Sequence, residues 1–150
     1  MFFPSRFKHA IIVALWITGA SGPAHAAGIS LEHAWAQVSP PRATVGRAFV
    51  TIVNHSTEID HLVGVTTDAA KSAEIDGIRV LNDVPNTRHL FNLDIPPGHS
   101  IEFTPGAYHI LMRNLKKPLV QGETFRGELV FEKAGAVPVE FRVTPNGPPP

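Results

Sequence analysis

Cysteine is absent from all 150 residues of this chain. That removes disulfides, thiolate metal sites and a cysteine nucleophile together, so the fold has to be held by its core. Methionine is almost missing as well, with Met112 the only one beyond Met1. Net charge is missing, because 13 basic residues face 13 acidic ones. Such a balance leaves no electrostatic footprint for nucleic acid or for an anionic lipid surface. No apolar run approaches the roughly 20 residues that a membrane-spanning helix requires. No G-x-S-x-G elbow, H-E-x-x-H pair or glycine-rich phosphate loop occurs, and the carboxylates are spread singly. Nothing in these residues assembles an enzyme.

What is present begins with Arg6 and Lys8, an apolar run from Ala10 to Ala20, and then Ala24-His25-Ala26. A short basic region, an apolar stretch and an A-x-A site describe a secretory signal peptide over residues 1–26, with the mature chain starting near Ala27. Without Arg6 and Lys8 the remainder carries 11 basic residues to 13 acidic ones. A mature chain of this size fits one domain, residues 27–143. The last residues, 144–150, end in Asn-Gly-Pro-Pro-Pro and are expected to be a disordered tail.

The mature region reads as strands throughout. Phe125, Gly127, Leu129 and Phe131 alternate with Arg126, Glu128, Val130 and Glu132, and Val137, Val139, Phe141 and Val143 alternate with Pro138, Glu140 and Arg142. Alternation with period two puts one face in a core and the other in water. Ala48–Asn54 is nearly continuous apolar sequence with β-branched residues, as a central strand needs. Shorter candidates are 30–37, 61–66, 72–81, 88–93, 100–103 and 107–114. Between them Ser39-Pro40-Pro41, Pro85-Asn86, Pro96-Pro97-Gly98, Pro105-Gly106 and Gly135 punctuate the chain as turns. A single helical turn fits only near Asn114–Leu119. Many short strands with such turns indicate an antiparallel β-sandwich or barrel, with Trp35, Phe49, Leu129, Phe131 and Phe141 in its core.

Two stretches carry a family resemblance: AWAQVSPPRATVGRAFVTIVN at 34–54 and AYHILMRNLKKPLVQGETFRGELVFEKAGAVPVEF at 107–141. Both resemble the periplasmic copper chaperones of the PCu(A)C family. The resemblance implies a cupredoxin-like Greek-key antiparallel β-sandwich, all-β and single-domain. It also implies copper as the ligand, and a role in delivering Cu(I) toward the CuA centre of cytochrome c oxidase. Members of that family hold copper with a His, ten residues, a Met, twenty-one residues and then His-x-Met. Here the spacing is kept with Asp76, Thr87, His109 and Leu111 at the four positions, so the motif is degenerate. Thr87 and Leu111 lack ligand side chains.

His109 and the residue two further on point to one face of a strand, which is how one strand end can present two donors to one ion. Met112 falls on the other face and is expected in the core. Asp76 precedes Gly77, a placement that also reads as a solvated turn. His89 lies two residues beyond Thr87, hence on the same face of an extended segment, and can stand in for the missing Met. The candidate metal ligands are therefore His109, His89 and Asp76. Two imidazoles and a carboxylate suit Cu(II) or Zn(II) better than the soft Cu(I) ion. Three readings stay open: a periplasmic copper chaperone, a retuned Cu(II)/Zn(II) site, and a metal-free interaction module that kept the sandwich. The partners implied are copper-accepting or copper-donating periplasmic proteins, without nucleic acid and without stable membrane insertion after cleavage.

Overall fold

The computed structural model describes residues 24–26 and 28–150. The basic region and apolar run of the expected signal peptide lie outside the described residues. Eleven strands are found among those described: β1 (Ala24–Ala26), β2 (Ile29–Gln37), β3 (Val45–Asn54), β4 (Asp60–Thr67), β5 (Ala70–Leu81), β6 (Val84–Leu90), β7 (Leu93–Ile95), β8 (Ser100–Glu102), β9 (His109–Leu115), β10 (Thr124–Phe131) and β11 (Gly135–Thr144). The described residues contain no helix, and Lys116–Leu119 is a bend and open loop rather than a helical turn. The expected tail begins at Thr144, which closes β11 and donates from Oγ1 to the Gly147 carbonyl.

The strands form one hydrogen-bonded path, β6-β5-β9-β3-β2-β11-β10-β4-β7, with β1 beside β2 and β8 beside β3. Its two halves fold over one core as a sandwich. Chain neighbours are often not sheet neighbours: β4 pairs with β7 and β10, whereas β5, only two residues further on, pairs with β6 and β9. Among the described residues every ladder is antiparallel except one, since β11 runs parallel to β2 from Arg142↔Trp35 to Thr144↔Gln37. A parallel contact between the first and last long strands has no local signature, so an all-antiparallel reading was the natural one from sequence.

Burial follows the expected alternation. Along β11, Val137, Val139, Phe141 and Val143 are buried while Ala136, Pro138, Glu140 and Arg142 are exposed. Trp35, Phe49, Leu129, Phe131 and Phe141 all lie in the core. Trp35 stacks on Phe49 with centroids 4.4 Å apart, and Phe125 on Phe141 at 5.1 Å. Met112 is fully buried. Strand β10 approaches β4 so closely at Gly127 that a Cβ there would come within 2.7 Å of the Thr66 carbonyl oxygen.

Pro85-Asn86 does not form a turn. Pro85 pairs with Val80 inside the β5–β6 hairpin, and the turn is Asn82-Asp83, with φ of 51° and 61°. Two positive φ values are the requirement of a two-residue I′ hairpin, and Asn and Asp tolerate that region. Proline is accommodated because β6 is the outermost strand of its half, where one row of N–H groups faces no neighbour.

A buried carboxylate ties the far end of the sandwich together. Asp60, at the start of β4, accepts hydrogen bonds at Oδ1 from the His61 and Lys133 amides (2.7 and 2.9 Å) and at Oδ2 from the Ala134 amide (3.0 Å). It thereby clamps the β10–β11 turn to β4. Asp60→Ala strands these donors, each costing about 1–3 kcal/mol if left unpaired. The expected loss is about 2–4 kcal/mol in denaturant unfolding, with Asp60→Asn less harmful. A loss for Asp60→Ala within about 0.5 kcal/mol of zero would contradict the clamp.

Candidate metal centre

The three-stranded segment β6-β5-β9 places the motif positions on its outer face. Asp76 lies mid-strand in β5, level with His89 of β6 on one side and His109 of β9 on the other. Ile75, its chain neighbour, points into the core. The turn reading of Asp76 is thus wrong. Gly77 continues the strand, and Asp76 is only 4% exposed. The reason for glycine there is space: a Cβ would sit 3.2 Å from the Tyr108 ring.

The polar atoms converge. His89 Nδ1 lies 3.5 Å from Asp76 Oδ1 and 3.6 Å from Glu74 Oε2, and His109 Nε2 lies 3.9 Å from Asp76 Oδ2. These separations exceed the usual 2.7–3.2 Å of a hydrogen bond. Among the described residues, neither Asp76 Oδ1 nor His89 Nδ1, both buried, has a hydrogen-bond partner. Buried polar atoms without partners are costly, and each one calls for an explanation. Donors around a tetrahedral ion with bonds of about 2.0–2.1 Å stand roughly 3.3 Å apart, close to the spacings here. Glu74, Asp76 and His89 form a set whose donor atoms lie within 4.8 Å of one another.

Surrounding groups orient the set. His109 Nδ1 faces the Ala107 carbonyl at 3.3 Å. A proton on that nitrogen leaves the Nε2 lone pair aimed at a carboxylate, an arrangement that only a cation or an additional proton makes favourable. Glu74 commits Oε1 to Arg113, whose Nε and Nη2 approach to 2.6 and 2.5 Å, and keeps Oε2 toward His89. Glu74 and Asp76 bring two carboxylates to this face, and Arg113 is the guanidinium beside them. Phe91, 82% exposed, packs edge-on against the His89 ring, with centroids 4.5 Å apart at 88°.

Of the sequence candidates, Asp76, His89 and His109 stand side by side. Leu111 shares their face but is level with Glu74, and Thr87 is level with Ile78. Glu74 was missed; its position two residues before Asp76, hence on the same face of a strand, is the signal that could have found it.

A family model described as "LpqE-like: Putative lipoprotein LpqE-like" matches residues 29–143. A protein of Leifsonia xyli subsp. xyli (strain CTCB07), described as "Putative lipoprotein Lxx21020", is 26% identical over 117 residues, covering 77% of this chain and 69% of that protein. Among solved structures, the copper-bound PCuAC domain from PmoF2 superposes with a TM-score of 0.69 at 22% identity, covering 83% of this chain and 98% of that one. The apo PCuAC domain from PmoF1 gives 0.70 at 24% identity, covering 83% and 99%. The Cu(I) form of DR1885 from Deinococcus radiodurans gives 0.58 at 26% identity, covering 75% and 76%. These likenesses make the fold the cupredoxin-like β-sandwich of PCuAC domains.

Proposed function

This chain belongs to the LpqE-like family, and we propose that it is an exported copper-handling protein of the chaperone type whose site has been retuned toward Cu(II). The observation that carries this reading is the pair of buried atoms without a hydrogen bond among the described residues, Asp76 Oδ1 and His89 Nδ1, facing each other at 3.5 Å. Glu74 and His109 complete the ligand set around them. Oxygen and imidazole donors suit Cu(II), with Zn(II) the competitor, whereas Cu(I) prefers the sulfur that this face lacks. The ion is cargo, and the partly exposed His89 and Glu74 side chains give a partner one side from which to approach the buried Asp76 and His109. The family resemblance extends the proposal to the periplasm and to delivery toward the CuA centre of cytochrome c oxidase.

A metal-free interaction module of the same fold is the second reading. It is favoured by the exposed Val80, Val84 and Phe91 on the same hairpin.

Metal analysis of the purified protein and competitive titrations with Cu(II), Zn(II) and Cu(I) decide between them. One equivalent of Cu(II) is expected, with much weaker Cu(I) binding. Asp76→Ala and His89→Ala are each expected to weaken Cu(II) binding at least about tenfold to a hundredfold, the range seen even for groups that only support a ligand. His109→Ala is expected to follow in the same direction. Unchanged affinity in Asp76→Ala would remove the site and leave the interaction module.

A further inference from the structure

The β5–β6 hairpin has a second face, and it carries a different chemistry. On the inner side Arg88 stands opposite Gly77 and Arg79 opposite Asn86, so the two arginines occupy diagonal cross-strand positions. They line an open cleft of about 690 Å³ between the overhanging hairpin and the β7–β8 segment, within the size range of small-ligand pockets. Leu90, Leu93, Ile101 and the Tyr108 ring supply apolar wall. Gly77 leaves the middle of the hairpin face bare, since a Cβ there would meet Leu90 at 3.1 Å.

The polar groups of this cleft are short of acceptors. Among the described residues, neither guanidinium has an ion-pair partner, and neither the Tyr108 hydroxyl nor the Asn92 side chain has a hydrogen bond. The one carboxylate in the lining, Asp94, is already bonded to His61 Nδ1 at 2.8 Å. Diagonal neighbours on a sheet lie roughly 7–8 Å apart at the backbone, so the two cations share one wall of the cleft and repel each other there. An anion seated between them reverses the sign of that energy.

We propose that this cleft binds an organic carboxylate with an apolar body. The planar guanidinium fork matches a carboxylate through two parallel hydrogen bonds, and the leucine, isoleucine and tyrosine wall takes the apolar remainder. A free acid and the C-terminal carboxylate of a peptide share that chemistry. The site lies on the face opposite Asp76 and His89 and stands independently of any metal.

The test is an amide-shift titration of the metal-free ¹⁵N-labelled protein. Sodium octanoate is expected to move the amides of Gly77, Arg88, Asn92 and Tyr108 and to saturate. Octanol, with the same tail and no charge, is expected to bind at least about tenfold more weakly, as loss of a charge-assisted hydrogen bond implies. The double variant Arg79→Gln/Arg88→Gln is expected to weaken octanoate by at least about the same factor while Cu(II) titration is unchanged. Acetyl-Ala-Ala-Leu with a free or an amidated C-terminus separates the sources. Tighter binding of the free-ended peptide than of octanoate identifies a peptide terminus, and the reverse identifies a small acid. Equal binding of octanoate and octanol by the unmodified protein, or full octanoate affinity in the double variant, overturns the proposal.

Discussion

Phe131→Ala is expected to lower the unfolding free energy by about 3–5 kcal/mol, the range for truncating an enclosed phenylalanine. The ring is 2% exposed and ends β10 on the inward side, next to a register shift against β4 between Val130 and Phe131. Strand pairing fixes the backbone on both sides, opposite Leu62 and Gly135. The surrounding side chains therefore cannot move in far to fill the void, and a cavity term adds to the lost transfer energy. Denaturant unfolding should show the change as a shifted midpoint with unaltered slope. Phe91→Ala is the matched control: its ring is 82% exposed, and the expected change is within about 0.5 kcal/mol. A cost below about 1 kcal/mol at Phe131 would mean that its side of β10 does not face the core.

The contrast between Phe131 and Phe91 marks where the fold was legible in sequence. Strands β10 and β11 have one face in the core and one in water, so their residues alternate and the pattern gives the register directly. The outer half of the β5–β6 hairpin overhangs the sandwich, and from Arg79 to Arg88 every residue is exposed. Without a buried side there is no alternation to read, and Pro85 then looks like a turn although the chain reverses at Asn82-Asp83. The bulge in β2 between Glu32 and Trp35, with His33 at a φ of 50°, was equally silent. Histidine adopts that conformation more often than most residues but far less often than glycine, so His33 alone does not announce it.

The site was legible to a different depth. Same-face periodicity on strands was enough to group His109 with position 111 and His89 with position 87. It could not tell which of these pairs stands level with Asp76, because register between strands is set by the hairpin turn and not by either strand alone. A two-residue turn at Asn82-Asp83 brings His89 opposite Asp76. Had the chain reversed at Pro85-Asn86, the register would have differed and Asp76 would have faced another residue. The contribution of Glu74 depends on Arg113 of β9, a partner 39 residues away, which no local pattern reveals.

That register predicts how Cu(I) binding can be installed. Thr87 is level with Ile78 and Leu111 with Glu74, so the two lie on opposite sides of the Asp76 level and on strands separated by β5. At about 3.3 Å per residue and 4.8 Å per strand, their backbones are roughly 16 Å apart. Two methionine side chains cannot close that gap around one ion held at position 76. His89, level with Asp76, is within reach of Leu111's side of the site. The variant Asp76→His/His89→Met/Leu111→Met is therefore expected to bind Cu(I) at least about a hundredfold more tightly than Asp76→His/Thr87→Met/Leu111→Met. The second variant restores the spacing of the PCu(A)C motif in sequence, and the first places a methionine level with position 76 instead. Competition against a Cu(I) chelator measures both, with circular dichroism confirming that each variant keeps the sheet. Equal Cu(I) affinity in the two would mean that the hairpin slides by two residues when it takes up metal, and His89 would lose its place in the ligand set. No gain in either folded variant would mean that this face does not close around an ion. The exposed hairpin would then act as a contact surface alone.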